Sequence, residues 1–493
     1  MEDRTPLHSL LFLLLVGLLG LVTMLVFPKD GISLYDTITL QYESPNDFFG
    51  EEIEEDTLAF VVDSLLSVEG VDSVAIRDSL EHLARLHYER VTGIQHADST
   101  YSSLNIFYEA LVKLKSQGGK VRILHYGDSQ LEGDRMTRYI RNELQKEYGG
   151  IGPGLLPVYK VIPTSGAWQD HSDNWLRYAA YGPKDTTINH HNYGFLASFS
   201  RFMPPPDTLT ADTTVAWLHI QPSKIGFSRV KKFNRLKLLL GGNTKPINLQ
   251  ITADSTEVYN QIIDTTELNR VINVPFASTP EDIQIVLEGT DSPNLYGLSL
   301  EGNSGIIMDN IPLRGSSGTL FRGINYDLLK EQYDPEPIRL VILQFGGNTV
   351  PYAKSKERVA KFESYFKANL RYMKALIPNA SFIVLGPSDM STKVKDKFET
   401  HPLLESVRDA IQKAAHEEGM AYYDFYEVMG GKNSMPEWVN ADPPLAVPDY
   451  VHFTFKGARK IAKLFYAALM KDYHRYSNPT PDTLKTDSTY NAN

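Results

Sequence analysis

Val121-Arg122-Ile123-Leu124-His125-Tyr126-Gly127-Asp128-Ser129-Gln130 decides how this chain is read. An apolar-leaning strand runs into Gly127-Asp128-Ser129, and helical sequence follows at about 131–148. A serine on a tight strand-to-helix turn has its hydroxyl pushed clear of the backbone, beside the unpaired N–H groups of the helix start. That is where a serine nucleophile is useful. A second stretch far along the chain, Asp449-Tyr450-Val451-His452, brings a carboxylate and an imidazole onto one short turn. Together the two stretches hold a nucleophile, a base and a group to orient the base. The G-x-S-x-G elbow is not met, because Leu131 stands where its second glycine would be.

Working outward, the α/β pattern that starts at 121–126 stops and then resumes. Strand 339–345 precedes a long helix at 354–376, strand 381–385 precedes a helix near 402–418, strand 420–425 precedes a loop, and helix 455–473 closes the pattern. Between these parts the character changes. Short alternating runs at 214–220, 235–240, 247–252, 257–263, 270–274, 283–288 and 295–300 are separated by Asp, Asn, Thr, Pro and Gly turns, which predicts a β-sandwich. A β domain therefore interrupts a parallel α/β domain. In such a sheet the strands end at one edge, where ligand sites form. Ser129, Phe345-Gly346-Gly347-Asn348 and the Asp449/His452 loop are all expected there.

With 493 residues, 42% of them apolar, the chain is long enough for more than one domain. A net charge of −11 with no basic stripe argues against a nucleic-acid partner. The absence of cysteine removes disulfides, thiolate metal sites and a cysteine nucleophile. Leu10 to Phe27 is an uncharged, Leu/Val-rich stretch between Arg4 and Lys29, at the short end for a membrane span. Val26-Phe27-Pro28-Lys29 is a poor cleavage site, so residues 1–28 read as a signal anchor that leaves the rest outside the cytoplasm. The expected division continues as a helical stalk or cap at 29–117, with the acidic run Glu51–Asp56 as a solvated surface and helical patches around 57–67, 75–92 and 103–116. The α/β domain takes 118–165, the inserted β domain 166–305, the second α/β part 306–475, and a polar, disordered tail 476–493.

Other conspicuous residues read as structural. Gly149-Gly150-Ile151-Gly152-Pro153-Gly154 lacks the Gly-Lys-Ser/Thr ending of a phosphate loop and follows a helix. His190-His191 are surface residues, since neighbours on a strand point apart and no carboxylate spacing supports a metal. His125 sits inside the first strand and is expected to be packed. Trp168, Trp175 and Trp217 could stack on sugar rings, with core packing the plainer reading. No cofactor or metal is expected.

Four blocks in order make the chain resemble the SGNH (GDSL-type) hydrolase superfamily: Gly127-Asp128-Ser129-Gln130, the glycine of Ile311-Pro312-Leu313-Arg314-Gly315-Ser316, Gly346-Gly347-Asn348, and Asp449-x-x-His452 followed by Phe453-Thr454 and a helix. The match spans roughly 118–165 and 306–473. Within the superfamily the chain is similar to bacterial peptidoglycan O-acetylesterases, which continue the GDS turn with a Gly-Asp pair, as in Glu132-Gly133-Asp134-Arg135. They also carry a carbohydrate-binding-like β module after the first block, as at 166–305. Gln130 departs from the commoner Leu or His, and Thr349 from a commoner Asp or Glu.

The resemblance implies a flavodoxin-like three-layer parallel sheet with an inserted β-sandwich. It implies Ser129 as nucleophile, His452 as base and Asp449 as its orienting group. The oxyanion donors would be the backbone N–H of Ser129, the backbone N–H of Gly315 and the side-chain amide of Asn348. Read alone, Asn348 could instead cap the next helix, and Gly315 could be a turn glycine with Gly305 and Gly318 as competitors. The implied activity is removal of O-acetyl groups from a polysaccharide such as peptidoglycan, on the periplasmic side of the inner membrane. Acetyl transfer to the same class of polymer, beside a membrane-bound acyltransferase partner, uses the same residues. A non-catalytic carbohydrate-binding envelope protein is the alternative of another class.

Overall fold

The computed structural model describes residues 32–35, 38–40, 88–89, 91–183, 185–205 and 212–478. The chain divides into two units, Met1–Tyr88 and Glu89–Asn493. In the first, Ile32–Tyr35 pairs antiparallel with Ile38–Leu40. The expected anchor at 10–27, the acidic run and the helical patch at 57–67 lie outside the described residues, as does 479–493.

The second unit is built on a five-stranded parallel sheet. Its strands are β1 (Lys120–Gly127), β2 (Gly305–Pro312), β3 (Ile338–Gln344), β4 (Ser381–Leu385) and β5 (Ala421–Tyr423), in the order β2-β1-β3-β4-β5. These segments are nearly continuous apolar runs, as strands covered on both faces require. The period of two divides them between two cores. Ile123, Leu340, Ile342, Ile383 and Leu385 face Leu111, Ile140 and Phe465 of helices α1 (Asn105–Gln117), α2 (Thr137–Tyr148) and α5 (Phe455–Ser477). Their neighbours Leu124, Val341, Leu343 and Val384 face Phe366 and Ile411 of α3 (Lys356–Leu376) and α4 (Leu404–Glu417). The three-layer α/β class expected from the sequence is what these contacts build.

Two antiparallel sheets are formed by the chain between β1 and β2. One runs 256–263, 247–253, 283–289, 214–222, 167–171; the other runs 270–275, 235–241, 294–301, 198–201, 176–179, with 154–156 added beside 294–301. Alternate residues such as Leu249, Ile251, Ile285, Leu238 and Leu298 point between the sheets into a shared core.

Four expectations need correction. The helix at 105–117 buries Phe107, Leu111 and Leu114 against the parallel sheet, so this layer begins before residue 118 rather than ending a stalk there. The helix expected at 131–148 starts only at Thr137, because Gly133 (φ +69°) and Asp134 (φ +61°) are consecutive left-handed residues that break a helix. The strand at 305–312 was not anticipated, and it forms the sheet edge beside β1. The last helix continues to Ser477, past the expected start of the tail.

Two features join the sheets. Gly150 (φ +108°) and Gly152 (φ +89°) let the glycine-rich turn approach the backbone of Ile306 and Leu300, where an added Cβ would stand 2.3 Å from a carbonyl oxygen in each case. Arg122 on β1, 1% exposed, binds Asp309 of β2 through two bonds of 2.7 and 2.9 Å. It also reaches Glu301 at 3.0 Å, on the last antiparallel strand, and Glu336 at 2.8 Å.

Candidate active site

Because the five strands are parallel, the segments leaving β1, β3, β4 and β5 emerge at one edge. The chain leaving β1 enters a 3-10 turn, Ser129–Asp134, with Asp128 as its cap: the Asp128 carboxylate accepts from the Gln130 N–H at 3.0 Å. Ser129 is the first residue of that turn and is half-buried. The loop before α5 supplies the second part. Thr454 caps α5 by accepting from Gly457 N–H, which sets where the helix starts and so where His452 stands.

Ser129 Oγ lies 2.8 Å from His452 Nε2, and His452 Nδ1 lies 2.7 Å from Asp449 Oδ2. The other Asp449 oxygen accepts from the N–H groups of Val451 (2.9 Å) and His452 (3.0 Å). This turn requires Tyr450 in the left-handed region, φ +57°, an uncommon conformation for an aromatic residue. Two contacts hold it there. The Tyr450 ring stacks on Phe398 at 3.6 Å between centroids and 8° between planes, and the Tyr450 carbonyl accepts from Ser391 N–H at 3.0 Å. Partial burial pushes the Asp449 carboxyl up, but the N–H of His452, its imidazole and the N–H of Val451 outweigh that and hold it below the usual carboxylate range. Asp449 is therefore the charged partner that a protonated imidazole needs.

Asp128 behaves differently. Burial pushes its carboxyl up to about 6, against the pull of the Gln130 N–H, His452 and Arg135; Glu132 adds to the rise. Its Oδ2 accepts from Asn348 Nδ2 at 3.2 Å, and the same amide donates to the Ser316 carbonyl at 3.2 Å. Asn348 thus faces the turn that carries Ser129, and the next short helix has Thr349, not Asn348, as its cap residue. The Asn348 amide hydrogens are already engaged at long distances, so an oxyanion would compete with Asp128 and Ser316 for them. Gly315, φ +77°, sits on the loop beside that Ser316 carbonyl but does not line the cleft at Ser129.

The cleft measures about 240 Å³ and includes Ser129, His452, Asn348, Tyr352, Met390 and Phe425 in its walls. Tyr352 stands 72% exposed at its rim. Sequence reading missed Tyr352, Met390 and Phe425, which carry no motif. It also passed over Arg135, and treated Gln130 only as a departure from a pattern. His125 is fully buried between Gln344 Oε1 (3.2 Å) and Thr137 Oγ1 (2.9 Å), and burial pushes it down to about 3, so it is a neutral packing residue. His191 is exposed, His190 half-buried, and among the described residues no group of His, Asp and Glu is arranged to hold a metal. Trp175 is buried, but Trp168 and Trp217 stand 41% and 39% exposed.

A parallel sheet between two helical layers, with these groups at its strand ends, is the arrangement of the SGNH hydrolase fold. Residues 222–465 match the model of the GDSL-like lipase/acylhydrolase family. The matched stretch contains Gly315, Asn348, Asp449 and His452 and begins after Ser129. No curated protein sequence matches the chain. Among solved structures, a peptidoglycan O-acetylesterase superposes with a TM-score of 0.53 at 18% identity, over 77% of this chain and 99% of its own. A family two carbohydrate esterase from Clostridium thermocellum in complex with cellohexaose aligns at 9% identity over 60% of this chain and 98% of its own, with a TM-score of 0.22. The acetyl xylan esterase AlAXEase aligns at 16% identity over 33% and 81%, with a TM-score of 0.24.

Proposed function

We propose that this chain is a serine esterase that removes O-acetyl groups from an extracytoplasmic polysaccharide, with peptidoglycan as the first polymer to test. The observation that carries the reading is the unbroken hydrogen-bonded line from Ser129 Oγ through both nitrogens of His452 to Asp449. In the first half-reaction His452 Nε2 takes the Ser129 proton as Oγ bonds to the acetyl carbon. The tetrahedral adduct then collapses, the bond to the sugar oxygen breaks, and His452 returns the proton to that oxygen. In the second half, water attacks the acetyl-serine with His452 again taking the proton, and acetate leaves. Asp449 stays charged throughout and stabilises the imidazolium. The backbone N–H of Ser129 is the group offered to the oxyanion, joined by the Asn348 amide when it turns from Asp128 and Ser316; Gly315, which does not line the cleft, is not given that part. A small, open cleft suits a short acyl group and admits water as the acceptor.

The fold likeness to a peptidoglycan O-acetylesterase supports the choice of polymer. Extracytoplasmic placement rests on the apolar stretch at 10–27 in the sequence, outside the described residues; among the described residues no helix is long and apolar enough to cross a membrane. The test is release of acetate from O-acetylated peptidoglycan by the full chain and by its Ser129→Ala variant, with and without added sugar acceptors. Free acetate from the parent alone is expected. Acetyl recovered on the acceptor instead would make the protein a transferase, and acetate release unaffected by the substitution would overturn the assignment of Ser129.

A further inference from the structure

Gln130 follows the nucleophile directly, yet its side chain reaches into the loop that carries His452. It is 8% exposed. Its Nε2 donates to the carbonyl of Val451 at 2.7 Å, and its Oε1 accepts from the N–H of Phe453 at 3.2 Å. One amide thus grips the backbone on both sides of His452, as a paired strand would. Arg135 adds a second tie: Nη2 donates to the Ser129 carbonyl at 2.6 Å and Nη1 to the Phe453 carbonyl at 2.9 Å. Nε is fixed on the Glu132 carbonyl at 2.8 Å, which points the guanidinium at the gap. Ser129 and His452 come from elements far apart in sequence, so their separation depends on such ties between the two loops.

We propose that Gln130 and Arg135 form a positioning clamp that sets the separation of Ser129 from His452, an inference that rests on the esterase reading above. Gln130 borders the cleft, but both ends of its amide are spent on the loop that carries His452. The Gln130 amide is the more telling of the two, since only a side chain that both donates and accepts at its tip makes both bonds. Leucine here would make neither. An error of about 1 Å in such a contact costs on the order of a hundredfold in rate.

The test uses the full chain with an aryl acetate and three variants: Ser129→Ala, Gln130→Leu and Gln130→Glu. Gln130→Leu should lower kcat about tenfold to a hundredfold with KM within a factor of two. Gln130→Glu is the sharper variant. Protonated, the introduced carboxyl donates to Val451 and accepts from Phe453 and so restores both bonds; ionised, it turns an oxygen on the Val451 carbonyl and breaks one. The charged groups facing that position are Asp128 and Glu132 on its own turn, Arg135 behind it, and His452 with Asp449 on the opposing loop. The parent rate should rise with pH to a plateau. The Gln130→Glu rate should rise and then fall as the introduced carboxyl ionises, recovering towards the parent at the acidic end. A substitution that only loosened packing would lower thermal stability and leave the shape of the pH profile unchanged. A parent-like kcat in Gln130→Leu, or a parent-shaped profile in Gln130→Glu, overturns the clamp. Undiminished activity in Ser129→Ala overturns the esterase assignment on which it rests, so the two failures are distinct. If Gln130→Leu does not fold, the Gln130→Glu profile alone decides.

Discussion

At the scale of the residue, the proposed chemistry rests on three side chains outside the core. Ser129 is half-buried on a turn, and Asp449 and His452 have side chains 45% and 32% exposed, so none fills a core position. Ser129→Ala is therefore expected to keep the parent melting temperature while losing activity by about ten-thousandfold or more. His452→Ala should do the same, and the double variant should lose little beyond either single change, because the groups act as one unit. Aryl acetate kinetics on the three proteins check this; additive losses would mean that the residues do not share a step. That Ser129, His452 and Asp449 come together was legible because the proposed chemistry demands particular residue types at particular turns. Gln130 and Arg135 were not, because nothing in a glutamine's position shows whether it faces solvent or grips a loop.

At the scale of the element, the hairpin Ser391–Val394/Lys397–Thr400 holds the strained Tyr450 turn through Phe398. Phe398→Ala should lower kcat roughly tenfold with little change in melting temperature, since Phe398 is itself exposed; unchanged kcat would show that the Asp449 turn keeps its shape unaided. Arg122 plays the opposite part, carrying stability and no chemistry. Burial pushes Glu301 up, but Arg122, Lys237 and Lys120 outweigh it and bring the carboxyl down to about 2. A carboxyl lowered on folding contributes stability that is present above its ordinary value and lost as pH falls through the folded value. The contribution, roughly 3 kcal/mol, should therefore vanish between about pH 4.5 and 2. Arg122→Leu leaves Asp309 and Glu301 buried without their shared guanidinium and should cost about 3–5 kcal/mol at neutral pH. Its melting temperature should also fall less steeply through that acid window than the parent's, which scanning calorimetry at several pH values measures. The strands from 214 to 301 and the helices 356–376, 404–417 and 455–477 were legible because each is strongly periodic, whereas the short helices 326–333 and 434–440 and the hairpin 391–400 were not. The edge strand 305–312 was not, since its Asp309 and Asn310 interrupt an apolar run, and Asp309 is buried only because Arg122 receives it. The short strands at 167–171 and 176–179 carry too few residues to show a period.

At the scale of the whole molecule, the antiparallel sheets carry a candidate contact surface for polymer whose residues do not line the cleft. Trp168 lies opposite Gln221 on the neighbouring strand, and Trp217 lies four residues along that strand on the same face. Their backbone positions are thus about 14 Å apart, with His219 between them packed edge-on against Trp168. Replacing both tryptophans by alanine should weaken sedimentation with insoluble acetylated polymer and leave aryl acetate turnover unchanged; unaltered sedimentation would remove this face from the account. The antiparallel stretch between strands of the parallel sheet was legible because the hydrophobic period changes from helix-strand alternation to short strands and back, while the ion cluster between the sheets carries no local signal. The central claim is that acetyl passes through Ser129. The most direct measurement is rapid acid quenching of the enzyme during turnover, followed by mass analysis of its peptides. The account predicts one added acetyl group on the peptide carrying Ser129, absent from the same peptide of Ser129→Ala. An acetyl group found on another residue, or turnover by Ser129→Ala at the parent rate, would contradict it.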